Sequence, residues 1–382
     1  MSKIDELIER LCPDGVEYKK LSCLASYARE RIAASDLEPG SYVGVNELLQ
    51  EYRGRSYEVH VPSEEKCISY RPGDVPLGNI RPYLKKMWLA DCFGGTNGDV
   101  LVIRVCDAAQ LSPRFLWQVL AGRAFTEYNI SHSKGAKMPR GDKKAIMDFY
   151  IPVPPIEVQE EIVRVLDSFA ELEAELEAEL EARKRQYAYY RDRLLTFEER
   201  ERVRWVTLGD IASMKAGKAI AASKITECAN SVSSVRCFGA NGLRGYVPRS
   251  NQSGNAVLIG RQGALCGNVY FVDGDYYATE HAVVAAPREG VDCCYLFYAL
   301  AAANLNQFKT AGAQPGLSVE RLKKVKVPLP DVETQRRIAK TLEQFDVLIN
   351  DISQGLPAEI EARRKQYAYY RDKLLSFKEK VA

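Results

Sequence analysis

The chain has 382 residues, of which 46% are hydrophobic and 27% charged. This length predicts two or three domains, and this composition is that of a folded globular protein, so a disordered or fibrous chain is excluded. The formal net charge is only +2, and the ten cysteines form no CxxC pair. Such scattered cysteines favour reduced thiols in a cytoplasm over a disulfide framework.

The chain begins with MSKIDELIERLCPDG, an acidic amphipathic segment that predicts a short helix rather than a secretory leader. No window approaches 18 consecutive apolar residues, so no membrane-spanning helix is predicted. We expect an untargeted, soluble, cytoplasmic protein.

Residues 1–150 are predicted to form the N-terminal helix and a first mixed domain. Within it, residues 99–105 (DVLVIRV) predict a strand and residues 113–125 predict a helix.

Residues 151–202 predict a first long helix, which Pro154 and Pro155 prevent from starting earlier. Apolar residues there follow an alternating spacing of four and three, which is typical of a coiled-coil seam. They are Ile162, Leu166, Phe169, Leu176, Leu180, Tyr187, Tyr190 and Leu194.

Residues 203–326 predict a second mixed domain, with strands near 256–259 and 268–272 and a helix near 293–307. Residues 327–382 predict a second long helix. Its seam slips by four residues near Gly355 and Pro357, which indicates a helix that stops and restarts.

The chain is an internal duplication. The segment EARKRQYAYYRDRLLTF at 181–197 returns as EARRKQYAYYRDKLLSF at 361–377, with 13 of 17 positions identical. Upstream, IPVPPIEVQEEI at 151–162 corresponds to VPLPDVETQRRI at 327–338. Two copies are too few for a solenoid, so a duplicated two-domain chain is predicted.

Connectivity predicts the arrangement of the copies. The second domain joins the end of the first helix to the start of the second, so helices that pack together are antiparallel. We therefore predict an α+β fold in which a long antiparallel two-helix coiled coil separates two mixed α/β domains, related by a pseudo-twofold axis. The length of the helices would then set the distance between the domains.

Charge is divided along this plan. Residues 16–150 hold 19 basic and 16 acidic residues, residues 203–326 hold 14 and 8, and residues 151–202 hold 8 and 14. Two modestly basic domains on an acidic rod favour a protein that touches phosphate through its domains and protein through its helices.

Motifs for catalysis or metal binding are missing. The three histidines show no HxH or HExxH spacing, the Gly-rich runs lack the Lys-Ser/Thr of a phosphate-binding loop, and there is no GxSxG. The Asn/Asp-Pro-Pro-aromatic motif expected of a methyltransferase acting on base amino groups is also absent. We predict no catalytic residues, no metal and no cofactor on this chain.

The repeated segments resemble those of specificity subunits of type I restriction-modification systems. The resemblance lies in the two proline-containing segments, in the ARKRQYAYYRDRLLTF and ARRKQYAYYRDKLLSF helices, and in GLPAEIEARRKQYAYYRDKLL, and it covers essentially the whole chain. It implies two target recognition domains that each bind one half of a split sequence in double-stranded DNA. It also implies helices that bind two methyltransferase subunits, and restriction subunits in the full complex. S-adenosylmethionine and ATP are then expected on those partners.

Candidate DNA contacts are polar side chains that can pair with base edges or phosphates. In the first domain they are Asn79, Arg81, Tyr83, Lys85, Lys86 and Asn97, with Lys134, Lys137, Arg140 and Lys143 as phosphate contacts. In the second domain they are Arg236, Asn241, Arg244, Tyr246, Arg261, Gln262 and Asn268.

Candidate partner contacts are duplicated residues of the helices. Neighbouring tyrosines point about 100° apart on a helix, so the tyrosine clusters are wider than one seam can bury. The predicted contacts are Gln159, Tyr187, Tyr189, Tyr190 and their copies Gln335, Tyr367, Tyr369, Tyr370.

Two other functions stay open at this point. One is a stand-alone DNA methyltransferase or nuclease, which the missing motifs disfavour. The other is a structural coiled-coil spacer, which the two divergent basic domains disfavour.

Overall fold

A computed structural model describes residues 3–60, 65–197, 203–263, 266–310, 316–350 and 355–380. The chain divides into two compact units. The first unit comprises Met1–Leu176 and Ile360–Ala382, and the second comprises Glu177–Glu359. The domain boundaries predicted at 150/151, 202/203 and 326/327 stay predictions. The second of them adjoins residues 198–202, which lie outside the described ranges.

The first unit is a mixed domain with two small antiparallel sheets. Its helices are α1 (Lys3–Leu11), α2 (Pro113–Ala121), α3 (Arg123–Ser131) and α4 (Lys143–Asp148). Its strands are β1 (Tyr18–Lys20), β2 (Ala25–Tyr27), β3 (Arg31–Ala33), β4 (Lys66–Tyr70), β5 (Val75–Gly78), β6 (Gly94–Thr96), β7 (Val100–Val105) and β8 (Tyr150–Pro152). The sheets have the orders β2-β7-β5 and β3-β4-β6, and β1 pairs with β8.

The next helix, α5 (Ile156–Leu195), runs from the first unit into the second. The second unit then repeats the mixed pattern. Its strands are β9 (Arg204–Thr207), β10 (Ala212–Ala216), β11 (Val235–Gly239), β12 (Gly242–Val247), β13 (Gln252–Ser253), β14 (Ala256–Gly260), β15 (Val269–Val272), β16 (Asp275–Ala278), β17 (Ala282–Pro287) and β18 (Lys326–Leu329). Its helices include α6 (Leu208–Ile211), α7 (Cys293–Ala302), α8 (Val319–Lys323) and α9 (Val332–Asn350), and α10 (Leu356–Leu374) follows α9.

The sheets of the second unit are larger. One has the antiparallel order β10-β17-β14-β15, and the other has the order β12-β11-β16-β13, in which β11 and β16 are parallel. All five residues of β14 (AVLIG) are buried, as are all four of β5 (VPLG). Such continuous apolar runs suit strands that are covered on both faces.

The helix boundaries follow the prolines. Helix α5 begins at Ile156, directly after Pro154 and Pro155, and α10 begins at Leu356 with Pro357 in its first turn. The predicted restart of the second helix is therefore present, because proline fits the first turn of a helix and not its interior.

In the first unit, α5 and α10 pack antiparallel. The Phe169 ring stacks on Tyr370 at 5.4 Å between centroids and on Tyr367 at 6.3 Å, and Arg364 donates to Glu173 at 2.6 Å. The later residues of α5 thus meet the earlier residues of α10.

In the second unit, α5 and α9 pack in the same way. The Phe345 ring contacts Tyr190 at 5.7 Å and Tyr187 at 6.2 Å. Phe345 is the copy of Phe169, and Tyr187 and Tyr190 are the copies of Tyr367 and Tyr370. The α+β class with two mixed domains and antiparallel central helices, predicted from the sequence, is confirmed.

Candidate nucleic-acid interface

An open cleft of about 540 Å³ lies on the mixed domain of the first unit. The loop after β5 forms one wall, and segments near residues 42–50 and 97–99 form the others. Its lining includes three predicted DNA contacts, Arg81, Lys86 and Asn97, together with Asp99 and Met138.

Backbone hydrogen bonds hold the loop after β5 in place. The Asn79 N–H donates to the Asp99 carbonyl at 2.8 Å, and the Arg81 N–H donates to the Pro139 carbonyl at 2.7 Å. Arg81 and Lys85 both have a left-handed backbone, with φ of 53° and 52°. This uncommon conformation turns the chain sharply enough to put Arg81 at the cleft.

A hairpin of residues 134–140 borders the same cleft. Lys134 and Arg140 exchange two backbone hydrogen bonds of 2.8 Å, and Arg140 forms a bridge with Ile80. The Lys134 ammonium bonds Asp142 at 2.5 Å, and Arg140 bonds Asp99 at 3.0 Å. The Lys134 ammonium, with the amides of Ala145 and Lys144, lowers the pKa of the Asp142 carboxyl to about 2.

The predicted contacts of the first domain differ in accessibility. Six are exposed: Arg81, Tyr83, Lys134, Lys137, Arg140 and Lys143. Asn79 is only 7% exposed, Lys85 pairs with Glu51, and the Asn97 side chain accepts the amide of Asp99. Lys86 donates to the Val45 carbonyl at 2.6 Å, and desolvation lowers the pKa of its ammonium.

The second unit carries a corresponding cleft of about 590 Å³, between the β11–β12 turn and the loop after β14. Three predicted contacts line it: Asn241, Arg244 and Gln262. The Gln262 amide oxygen lies 2.6 Å from Nδ1 of His281, and Tyr270 donates to Asn241 at 3.4 Å.

The other predicted contacts of the second domain lie outside the lining of this cleft. Arg236 is paired with Asp273, and Nε of Arg261 is buried. Asn268 is exposed and accepts the Gly260 amide through its carbonyl, and Tyr246 pairs with Thr226 through backbone bonds.

The two clefts have the same backbone scaffold. Four hydrogen bonds of the first have direct counterparts in the second. In each case a backbone N–H donates to a backbone carbonyl. In the first cleft the bonds run from Gly78 to Lys86, from Asn79 to Asp99, from Gly141 to Asn79 and from Lys134 to Arg140. Their counterparts in the second run, in the same order, from Gly260 to Asn268, from Arg261 to His281, from Leu317 to Arg261 and from Thr310 to Gly316. All eight distances lie between 2.8 and 3.2 Å.

The side chains on this common scaffold differ. Asn79, Ile80 and Arg81 correspond to Arg261, Gln262 and Gly263. Lys134 and Arg140 correspond to Thr310 and Gly316, so the basic residues of the hairpin belong to the first domain alone. A fixed frame with variable polar groups suits recognition of two different ligands of one class.

Some lining residues were not predicted. They include Asn46, Gln50 and Met138 in the first cleft and His281 in the second. His281 lies in the turn before the buried strand β17, whereas Asn46, Gln50 and Met138 lie in loops. Nothing in the sequence distinguishes these four residues from other loop and turn residues.

The helices expose a second kind of surface. Tyr189 is 58% exposed and its copy Tyr369 is 61% exposed. Tyr187 and Tyr367 are instead partly buried, and they contact Phe345 of α9 and Phe169 of α5, respectively. Tyr190 and Tyr370 stack on phenylalanines.

The two predicted glutamine contacts lie in the interior. Gln159 is 0% exposed, and its amide bonds Ser112 N–H, Gln110 O and Pro154 O. Gln335 is 1% exposed, and its amide bonds Asp292 N–H, Gly290 O and Pro330 O. Each side chain therefore holds a loop of its own unit against the start of a long helix, which leaves no free amide for a partner in this structure.

Within the described ranges, no group of three or more His, Cys, Asp or Glu side chains could hold a metal ion. Nor does any helix in that part of the chain have the length and apolarity needed to cross a membrane.

The chain resembles known proteins over most of its length. The family model of the type I restriction modification DNA specificity domain matches residues 78–182 and 201–362. The specificity subunit of the Escherichia coli restriction enzyme EcoprrI is 46% identical over 225 residues, which are 56% of each chain. The chain thus spans little more than half the length of that relative.

A putative type I restriction enzyme specificity subunit of Haemophilus influenzae is 28% identical over 95% of this chain and 96% of its own. The crystal structure of the S subunit from M. genitalium superposes with a TM-score of 0.60 over 94% of this chain and 96% of its own, at 15% identity. The fold is therefore shared with that subunit. Because the family model covers well over half of the residues, the chain belongs to the type I restriction-modification DNA specificity family.

Proposed function

We propose that this chain is the DNA-binding specificity subunit of a type I restriction-modification complex and recognises a bipartite target, one half with each cleft. The observation that supports this most is the pair of clefts with one backbone scaffold and different linings. A chain that carries the same frame twice with different polar groups can bind two different short sequences.

The lining groups have the chemistry that base edges require. Arginine pairs with the two major-groove acceptors of guanine, and asparagine or glutamine pairs with adenine. Arg81 and Asn97 offer such groups in the first cleft, and Asn241, Arg244 and Gln262 offer them in the second. Lys134, Lys137 and Arg140 of the 134–140 hairpin, together with Lys143 at the start of α4, would contact phosphates, which position the protein without specifying sequence.

The exposed tyrosines would bind partner subunits. Tyr189 and Tyr369 are copies of one another and are exposed to nearly the same extent, so two copies of one partner fit them. We assign them to two methyltransferase subunits, with restriction subunits joining the complete assembly. Methyl transfer with S-adenosylmethionine and ATP-driven cleavage would then occur on the partners. Since the ligand is DNA, we place the chain in the compartment that holds the genome.

The test combines binding with methylation mapping. The chain is coexpressed with its methyltransferase subunits, and the methylated positions of the host genome give the bipartite target. Arg81→Ala should weaken discrimination in one half by about 1 to 3 kcal/mol, and Gln262→Ala should do the same in the other half. Arg10→Ala, an exposed change on α1 that touches neither cleft lining, serves as the control. Methyl transfer by the purified chain alone, or a loss of specificity spread over both halves, would contradict the proposal.

A further inference from the structure

Helix α1 fills a groove at the base of the first unit. Its Ile4 is 5% exposed, and Leu7 and Ile8 pack against the same core. The Lys3 ammonium bonds Glu161 of α5 at 2.9 Å, and the Glu161 side chain is only 6% exposed. An amphipathic helix with a cation in its first turn is therefore seated beside the start of a long helix.

The second unit has the equivalent groove, and the residues that the structure describes between α5 and β9 form no equivalent helix. Helix α1 precedes Val16, whose counterpart Val203 follows the charged segment EERER at 198–202. The groove, about 470 Å³ in volume, lies between the end of α5 and the start of α9. Its lining includes Leu194, Phe197, Thr334, Arg337 and Ile338.

These lining residues are copies of residues of the first unit that either belong to the core against which α1 packs or form the ion pair with Lys3 of α1. Leu194, Phe197, Thr334, Arg337 and Ile338 correspond to Leu374, Phe377, Val158, Glu161 and Ile162. The apolar floor is thus largely kept. At the position that binds Lys3 in the first unit the charge is inverted, because Glu161 is replaced by the exposed Arg337 in the second. The lining also includes Arg193, which corresponds to Lys373, and Asp331, whose carboxylate accepts the amide and the hydroxyl of Thr334 at the start of α9.

We propose that this groove binds an amphipathic helix of a partner protein, and that the helix carries a carboxylate at the position equivalent to Lys3, opposite Arg337. The partner's apolar residues would occupy the places that Ile4, Leu7 and Ile8 occupy in the first unit. The carboxylate would replace Lys3, since opposite charges attract and like charges repel at this position.

Two other occupants fit the groove less well. Helix α1 of a second copy of this chain would bring Lys3 against Arg337, which places two cations together. The segment 198–202 consists only of Glu and Arg and has no apolar side chain for Leu194, Phe197 and Ile338. The groove therefore selects a helix with the pattern of α1 and the opposite charge at its start.

This inference does not depend on DNA recognition, and it makes the duplicated chain asymmetric. The first unit satisfies its groove with its own helix, whereas the second leaves the same surface to another protein. Each chain would then bind one such helix at this surface, in addition to any partners at the exposed tyrosines.

The test uses two peptides and the full chain. Both peptides carry residues 3–15 with Cys12→Ser, and one also carries Lys3→Glu. Because isolated helices of this length are marginal in water, a lactam between Glu6 and position 10, after Arg10→Lys, holds them helical through positions that are exposed in α1. Binding of the labelled peptides is measured by fluorescence anisotropy at low salt.

The Lys3→Glu peptide should bind about fivefold more tightly than the Lys3 peptide, the factor that a surface ion pair of about 1 kcal/mol supplies. In the Arg337→Glu chain the preference should reverse. Arg185→Glu, an exposed change on α5, is the matched control and should leave the preference as it is. The proposal is overturned if neither peptide binds at 1 mM, or if Arg337→Glu leaves their relative affinities unchanged.

Discussion

Glu161 is a nearly buried carboxylate that two cations hold ionised. It accepts from Arg164 at 2.5 Å and from Lys3 at 2.9 Å, and these bonds, that from Arg164 first, lower the pKa of its carboxyl from 4.5 to about 2. A carboxyl whose pKa is lower in the folded state than in the unfolded state stabilises the fold at pH values above its unfolded pKa. That stability is lost as the pH falls through the folded pKa.

We therefore predict a pH-dependent effect of Glu161→Gln. The free energy of unfolding of the variant should fall below that of the native chain at pH 7, and the difference should shrink between pH 4.5 and pH 3. Urea unfolding at several pH values measures this. Glu160→Gln, an exposed neighbour on α5, is the control and should change stability little. A difference that stays constant down to pH 3 would show that packing, rather than charge, gives Glu161 its effect.

The two interior glutamines should matter for stability. Alanine at Gln159 leaves the buried groups around it without partners, and one unsatisfied buried group costs about 1 to 3 kcal/mol. We predict that Gln159→Ala and Gln335→Ala each lower the free energy of unfolding by about 3 kcal/mol, given three hydrogen bonds at each site. Chemical denaturation compares them with Gln307→Ala, an exposed change in the second unit. Equal effects of all three changes would be inconsistent with these bonds.

The glutamines also show what a repeated residue can reveal from the sequence. Repetition at the same place in both copies marks Gln159 and Gln335 as important. It does not distinguish a side chain that binds a partner twice from one that closes the same loop twice. The loops concerned, near residues 110–112 and 290–292, lie more than 40 residues away in the chain, so no local pattern identifies them.

At the scale of elements, the helices were predictable because their signals are local. The spacing of apolar residues and the prolines at 154, 155 and 357 correctly place the starts of α5 and α10. The packing of Phe169 against Tyr370 follows from the same seam. Strands within runs such as 99–105 were also predictable.

The clefts were only partly predictable, because distant segments build them. The first requires the loop after β5 to meet residues 42–50 and the hairpin 134–140. Sheet order and register determine those meetings, and neither can be derived from alternation within one strand. The polar loop after β5 could therefore be identified from the sequence as a candidate DNA contact. The low accessibility of Asn79 and Lys86 within it could not be predicted.

The 134–140 hairpin leads to a prediction about salt dependence. Lys137 is exposed in the turn, whereas Lys134 and Arg140 already pair with Asp142 and Asp99. If Lys137 contacts one phosphate, Lys137→Ala should reduce the slope of log affinity against log salt by about 0.9 and weaken binding to all sequences alike.

Fluorescence anisotropy at four or more salt concentrations, with the chain in complex with its methyltransferase subunits, gives this slope. Arg10→Ala on α1 is the control, because Arg10 is exposed and is not among the residues that line the clefts, so it should leave the slope unchanged. An unchanged slope for Lys137→Ala, or a loss confined to one sequence, would exclude a phosphate contact.

At the scale of the whole molecule, duplication separates what the chain keeps from what it varies. The kept features are the helix seams, the interior glutamines and the hydrogen bonds of the cleft scaffold. The varied features are the side chains at the clefts and the covering of the groove that α1 fills in one unit alone. A molecule built in this way can change one ligand without changing the framework that holds both clefts.

We therefore predict that the specificity of the two domains can be exchanged independently. Replacing residues 16–150 with the corresponding region of a relative should change one half of the methylated target and leave the other half as it was. The Tyr367 hydroxyl of α10 donates to Gln118 at 3.0 Å, and Asp372 accepts the Arg123 amide at 3.1 Å. A donor domain that keeps a glutamine at position 118 preserves the first of these contacts, since an unpaired buried hydroxyl would cost stability.

Methylation mapping of cells that express the chimera with the native methyltransferase subunits measures both halves at once, and the reciprocal exchange of residues 203–326 is its control. A change in both halves after either exchange would show that the domains do not bind their targets independently.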